Sequence, residues 1–412
     1  MLMVFDALRR ALGNDGPERL DEVQREIARL DEAIARRTRE LHELRSRRLQ
    51  TLFPDGPVPG SGEGRYPGLD PVNFEEDESQ GWLISAATGI IDNFPGSEAL
   101  LSQLDSTLAA FADANHLRVT ERSPYAHLLA WSRDILERWD LERSAPLYLS
   151  NGKGSLVLGC KNPLIVLDRQ ALDALDSEEQ RFLLAATLGH LFFGNLRLFA
   201  FYRLMGILDK LPSMTGAVTR GLGMIPGIGN TISRGFELVR TLNNQVVRKT
   251  NLVIGLRQHV LCDRLATLAL GSPQPALRYL ARTALGGQHA LEPEVLEQLV
   301  DQGRALQRRY DAGEVDLNML SVIGPGEAFA AWRAFKLSAW LEEERSQKLF
   351  EGYYVTRERL DEHRRADRKM EEAIGALETR LLELHKRQGK LREELQGLLA
   401  RHEEASEEKP ED

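Results

Sequence analysis

Cysteine and long apolar runs are both scarce in this chain of 412 residues. Cys160 and Cys262 are the only two cysteines, which excludes a framework of disulfides and indicates a reducing compartment. The longest apolar stretch without a charged residue runs from Phe182 to Leu196. It is shorter than the roughly 20 residues that a membrane-spanning helix needs, so we expect a cytoplasmic protein.

An excess of positive charge is absent as well. The chain has 53 Lys and Arg against 62 Asp and Glu, a formal net charge of −9. A general nucleic-acid binder carries a basic footprint, so no nucleic-acid partner is expected. The 42% share of hydrophobic residues is sufficient for a core and excludes a wholly disordered chain.

Two charged segments near the ends of the chain carry apolar residues at alternating spacings of three and four. The first seam consists of Leu20, Val23, Ile27, Leu30, Ile34, Leu41 and Leu44. The second consists of Leu349, Tyr353, Leu360, Met370, Ile374, Leu377, Leu381, Leu384, Leu391, Leu395 and Leu398. This spacing is typical of coiled coils and predicts an N-terminal arm over 1–52 and a C-terminal arm over 346–402. The arms pair either with each other or with the arms of a second chain.

Two further segments have compositions that disfavour regular structure. Residues 53–80 are rich in proline and glycine and end in the acidic run 75–78. They are predicted to form a linker with little surface to bury. Residues 403–412 carry six acids against Lys409 and are predicted to be a disordered tail.

The region between the arms, residues 81–345, is predicted to be a mostly helical α+β domain with one small sheet. Three short apolar runs are typical of strands: 147–149, 155–158 and 164–167. Asn151-Gly152 lies between the first two and favours a hairpin that joins them. After Asp168 the pattern is helical.

One predicted helix carries the most informative motif. Ser177 and Gln180 are placed as a capping box would place them, and the helix that follows contains Ala186-Thr187-Leu188-Gly189-His190. A later helix contains the run from His259 to Ala266, in which Cys262 and Asp263 are adjacent.

Residues 140–285 resemble the zinc metallopeptidases of the HtpX and CAAX-prenyl-protease type. In that family, two strands precede a helix with a His-Glu-x-x-His motif, and a later helix holds the third ligand in Glu-x-x-Ala-Asp-x-x-Ala. Gly189-His190, Gly194, Asp263 and Ala266 match the pattern. The resemblance implies a zincin-like domain within 81–345.

The same resemblance implies that the active half of the motif is damaged. Two histidines at i and i+4 bind zinc on one face of a helix, and the glutamate between them is the base. Ala186 stands at the first histidine position and Thr187 at the glutamate position, while His190 is retained. His259 stands where the family has its downstream glutamate ligand.

Three interpretations follow for these positions. The first is a metallopeptidase-like chain without catalysis or cofactor, which works as a binding or scaffolding module through its old cleft and its arms. The second is a metal site rebuilt from His190 and His259 with a thiolate from Cys262 or Cys160, holding a structural zinc or serving an active metallopeptidase with an unusual ligand set. The third is a pair of ordinary interior histidines in an unrelated helical domain.

Two more possibilities concern partners. Residues 205–242 are rich in glycine but interrupted by charges, which favours a loop over the old cleft and leaves a reversible membrane contact as the alternative. A protein partner or self-association is expected through the arms. A rival class is a purely structural coiled-coil assembly protein in which the central domain is a spacer.

Overall fold

A computed structural model shows a mostly helical chain with one small four-stranded sheet, as the composition and pattern predict. The structure describes residues 16–62, 64–74, 97–142, 144–152, 154–159, 161–194, 196, 248–285, 292–315 and 329–407. The membrane-contact prediction for 205–242, the residue Cys160 and the last part of the acidic tail lie outside these residues. Among the described residues, no helix has the length and apolarity to cross a bilayer.

The helices and strands follow a simple order. In the first half they are α1 (Gly16–Leu52), α2 (Ser97–Asn115), β1 (Leu117–Arg118), α3 (His127–Arg138), β2 (Leu147–Ser150), β3 (Leu156–Leu158), β4 (Leu164–Asp168), α4 (Arg169–Ala174) and α5 (Ser177–Phe192). In the second half they are α6 (Arg248–Leu270), α7 (Gln274–Leu285), α8 (Pro293–Asp311), α9 (Ala330–Leu341), α10 (Glu344–Phe350), α11 (Arg357–Ala366) and α12 (Arg368–Glu407).

The sheet has the strand order β1-β2-β4-β3. All three predicted strands are present, but the predicted hairpin between β2 and β3 is wrong, because β4 lies between them and pairs parallel to β2 and antiparallel to β3. Asn151-Gly152 does form a turn, with Gly152 at φ +71°. The Asp168 carboxylate accepts hydrogen bonds from the backbone N–H groups of Gly152 and Gly154, which ties this turn to the end of β4.

Residues 53–74 are buried to an extent that their composition does not predict. Tyr66, Leu69 and Phe74 are at most 2% exposed and belong to the main core, so the expectation of little buried surface is wrong. The irregular backbone is tolerated because its polar groups have partners. The Asn73 side chain donates to the carbonyl of Val355 and accepts from its N–H, and the N–H of Val58 donates to the carbonyl of Gly352.

The two arms pair with each other within one chain. Helix α1 runs antiparallel to α12, and the apolar seams of the two helices meet in two clusters that contain Val23, Leu30 and Leu391 in one and Leu41 and Leu381 in the other. Ion pairs flank the seams, including Arg19–Glu394, Arg45–Glu378 and Arg48–Glu371 at 2.7, 2.7 and 3.2 Å. We call α1 and α12 together the terminal hairpin.

The beginning of the predicted C-terminal arm packs with the body of the molecule. Leu349 and Tyr354 are fully buried in the main core, and the chain turns after α10 at Gly352, where φ is +88°. The predicted C-terminal arm is therefore not one continuous helix. Between Leu349 and Leu398 the chain passes the ends of α10 and α11 before α12 begins.

Candidate functional site

Helix α5 begins one residue earlier than its sequence signal indicates. Asp176, rather than Ser177, is the N-cap, and Glu179 completes the capping box by accepting from the Asp176 N–H. The structure thus corrects the predicted Ser177–Gln180 box. Aspartate is as good an N-cap residue as serine. Besides completing the capping box, Glu179 pairs with an arginine of α7. Both oxygens of its fully buried carboxylate lie 2.9 Å from the Nε of Arg282 on α7 and share its N–H.

The two positions that the resemblance assigns to the first histidine and the glutamate lie in the buried middle of α5. Ala186 is 9% exposed and Thr187 is 6% exposed. The Thr187 hydroxyl donates a 2.8 Å hydrogen bond to the carbonyl of Leu183, one turn earlier. A hydroxyl with its ordinary high pKa is no base near neutrality, and this one is also committed to the backbone. The described geometry at these positions therefore provides neither the first metal ligand nor the base.

His190 and His259 come together, as the resemblance implies. They lie in the last turn of α5 and in the middle of α6, and their rings meet edge to face with centroids 5.6 Å apart and planes at 88°. Burial, with smaller contributions from Arg333 and His190, lowers the pKa of His259 well below its usual value. His259 is thus neutral at physiological pH and has one unprotonated ring nitrogen.

Gly189 explains how the two helices approach so closely. A Cβ atom added at Gly189 would lie 3.1 Å from both Cβ and Sγ of Cys262 on α6. This is tighter than ordinary van der Waals contact, so a larger residue at 189 requires Cys262 or α6 to shift by a few tenths of an ångström. The absence of a side chain at 189 therefore favours the close packing of α5 on α6.

Cys262 is buried, and its sulfur packs against Gly189. Burial, and to a lesser extent the Asp263 carboxylate, raises the pKa of the Cys262 thiol well above its usual value. Within the part of the chain that the structure describes, no three His, Cys, Asp or Glu side chains form a group that could hold a metal ion. The described residues thus bring together two imidazole ligands, whereas protein zinc sites use three or four protein ligands.

A buried ion pair beside the histidines escaped the sequence interpretation. Arg333 on α9 donates two hydrogen bonds of 2.8 Å to the carboxylate of Asp263, and the side chains are 4% and 0% exposed. Asp263 follows His259 by one helical turn on α6. The neighbouring Arg264 lies over the Trp340 ring of α9 at 5.6 Å from its centroid. Arginine at 333 is visible in the sequence, but nothing local marks it as the partner of a carboxylate 70 residues away.

The far end of α5 is held by an aromatic cluster. Phe74 packs edge to face on Phe192 and Phe193, with centroids 6.1 and 5.6 Å apart, and lies 6.3 Å from Trp340. These rings fix the turn of helix that carries His190. The segment before α2 and the helix α9 therefore both support the candidate site.

No family model, curated protein or solved structure matches this chain. The resemblance to the metallopeptidase family accordingly stays a prediction that depends on the residues named above.

Proposed function

We propose that this chain is a catalytically degenerate relative of the HtpX and CAAX-prenyl-protease type metallopeptidases that binds a protein segment without cleaving it. The observation that carries the proposal is the pairing of His190 with His259 beside Ala186 and Thr187. In this proposal the helix pair and the second family histidine are kept, while the positions of the first histidine and the base hold a methyl group and an engaged hydroxyl. Such a site retains a binding surface and lacks the groups for hydrolysis.

The surface for the protein segment is the side of the domain where α5 lies against β3. β3 is the last strand in the sheet order, with β4 on one side of it. Edge strands bind extended peptides by adding a strand, with main-chain hydrogen bonds providing affinity and side-chain pockets providing selectivity. In this proposal, an extended segment lies along β3 and its side chains reach the histidine pair.

The terminal hairpin is proposed to be a coiled-coil scaffold for self-association or for a second protein, in a cytoplasmic setting. The hairpin has apolar clusters and ion pairs of its own, which supports an interaction role that does not depend on the candidate site.

A rebuilt zinc site is the second candidate function, and the 5.6 Å separation of the two imidazoles favours it. Metal analysis of the purified full chain separates the two candidates. The comparison uses the wild type, H190A, H259A and the control H116A, which removes an imidazole that instead packs on Phe111. The proposed function expects substoichiometric zinc in all four, and no peptidase activity on a casein substrate with zinc added.

One zinc per chain, lost in H190A and H259A but kept in H116A, supports the rebuilt site. Zinc-dependent peptidase activity with the same pattern of loss would falsify the proposal of a non-hydrolytic binder. Circular dichroism of each variant verifies that the fold is intact.

A gain-of-function variant tests the family assignment itself. A186H restores a second imidazole one turn before His190, on the same face of α5. We expect A186H to bind zinc with His190 and His259, whereas the size-matched A186Q does not. If A186H folds and binds no more zinc than A186Q, the positions assigned by the resemblance are wrong.

A further inference from the structure

The terminal hairpin carries an unusual concentration of arginine on a chain that is acidic overall. A groove of about 730 Å³ lies between α1 and α12, and its lining consists of Arg19, Glu22, Arg25, Glu26, Arg29, Leu30 and Arg387. Four guanidinium groups face two carboxylates there. The groove therefore has an excess of positive charge on a molecule with a net charge of −9.

Among the residues that the structure describes, the internal pairing leaves two of these arginines without an ion pair. Arg19 bonds to Glu22 and Glu394 at 2.7 Å each, and Arg387 bonds to Glu26. Arg25 donates only to the backbone carbonyl of Asp21, and Arg29 has no ion pair among the described residues. Arg25 and Arg29 are exposed and one helical turn apart, so their guanidinium groups can bind one anionic segment together.

An acidic segment of this same chain has the complementary charge. Residues 403–412 contain six acids and one lysine, whereas residues 1–15 contain two acids and two arginines. The first half of this acidic segment, residues 403–407, is too far from the groove of its own chain to bind there. Helix α12 continues to Glu407, about 30 Å beyond the level of Arg387 at 1.5 Å per residue.

We propose that the arginine groove of the terminal hairpin binds the acidic segment around Glu403, Glu404 and Glu407 of a second copy of this chain. Two copies related by a twofold axis then overlap at the ends of their hairpins, and each groove receives the other's acidic segment. Leu399, which is 43% exposed near the same end of α12, supplies an apolar contact for the overlap. The proposal specifies one mode of the self-association that we propose for the hairpin and is independent of the histidine pair.

Charge reversal in the full chain tests this arrangement. The groove variant is R25E/R29E, the segment variant is E403K/E404K/E407K, and the control R36E/R39E makes the same charge change at exposed arginines of α1 outside the groove. The readout is sedimentation equilibrium at low and raised salt over a concentration series. Circular dichroism verifies that helix content is unchanged.

The wild type is expected to dimerise at low salt and to dissociate as salt rises, because exposed charges are screened. Each reversed variant alone should dimerise on the order of tenfold more weakly, and the control should match the wild type. An equimolar mixture of the two reversed variants should regain the wild-type affinity, because both contacts of the mixed dimer then join opposite charges.

Three results would overturn the proposal. The first is a wild type that stays monomeric at low salt, and the second is a control variant that weakens the dimer as much as R25E/R29E does. The third is a dimer that the groove variant does not weaken. This third result leaves self-association of the hairpin in place and refutes only the groove as its surface.

Discussion

The ion pair between Arg333 and Asp263 allows the sharpest test of the candidate site. In the variant R333M, the carboxylate of Asp263 stays buried at 0% exposure and loses two hydrogen bonds of 2.8 Å. Breaking a buried pair by removing one partner costs about 3–5 kcal/mol, because the remaining buried charge loses the counter-ion that is hydrogen-bonded to it. We therefore expect the free energy of unfolding to fall by that amount, measured by urea unfolding at pH 8.

Matched variants isolate the cause of this loss. R368M removes an arginine from the exposed pair with Glu372, in which the side chains are 85% and 63% exposed, and should cost less than about 1 kcal/mol. The double variant R333M/D263L replaces the buried pair by apolar groups and should recover most of the stability that R333M loses.

The stability loss of R333M should also depend on pH, in a direction that follows from the pKa of Asp263. Burial raises the pKa of Asp263, and the Arg333 guanidinium opposes that rise. In R333M the opposition is removed, so the folded chain holds the carboxyl proton more tightly than the unfolded chain does. The loss of stability in R333M should therefore shrink as the pH falls from about 8 toward the unfolded value near 4. A loss no larger than that of R368M, or one that grows on acidification, would refute the reasoning.

Three further predictions follow from individual positions. G303A should lower the free energy of unfolding by about 3 kcal/mol, because its Cβ would lie 2.0 Å from a backbone oxygen of α9. G375A, in open space on α12, should raise it by about 0.5–1 kcal/mol. Equal effects of the two variants in thermal unfolding would contradict the described packing. In urea unfolding, D176A should lower the free energy of unfolding by about 1 kcal/mol and S177A by less than half of that. The reverse order would show that Ser177 is the N-cap, as the sequence predicted. Burial lowers the pKa of His385 to about 4, so the free energy of unfolding should fall as the pH drops from about 6.5 to about 4. H385Q should flatten that dependence, and parallel pH curves for H385Q and the wild type would contradict this expectation.

Local patterns predicted the elements of this fold better than their pairing. The runs that become β2, β3 and β4 are apolar and bounded by turn residues, and all three are strands. The chain bends at Asn151-Gly152, but the hairpin predicted from this pair is wrong, and the Asp168 carboxylate binds the bend from a position 14 to 16 residues further on. A contact of this kind leaves no local signal in a sequence.

One contact of the candidate site was predictable from the resemblance. His190 and His259 were identified as a pair through that resemblance, and their rings meet in the structure. Arg333 was not identified, because its role depends on the packing of α9 against α6. The burial of Tyr66 and Phe74 was missed for a related reason. A segment rich in proline and glycine has no helical or strand period, so its apolar residues give no sign of the surface that they cover.

The contacts between residues 66–74 and 345–355 also have a consequence for biosynthesis. Asn73 and Val355 exchange hydrogen bonds across 282 residues of chain, and Tyr354 bonds to the carbonyl of Pro67 across 287. The main core lacks Leu349 and Tyr354 until these residues have left the ribosome. A nascent chain that stops near residue 345 thus exposes the apolar surfaces of Tyr66 and Leu69. Closure of this part of the core should accordingly follow the synthesis of the segment 345–355, because its contacts close a loop of more than 280 residues.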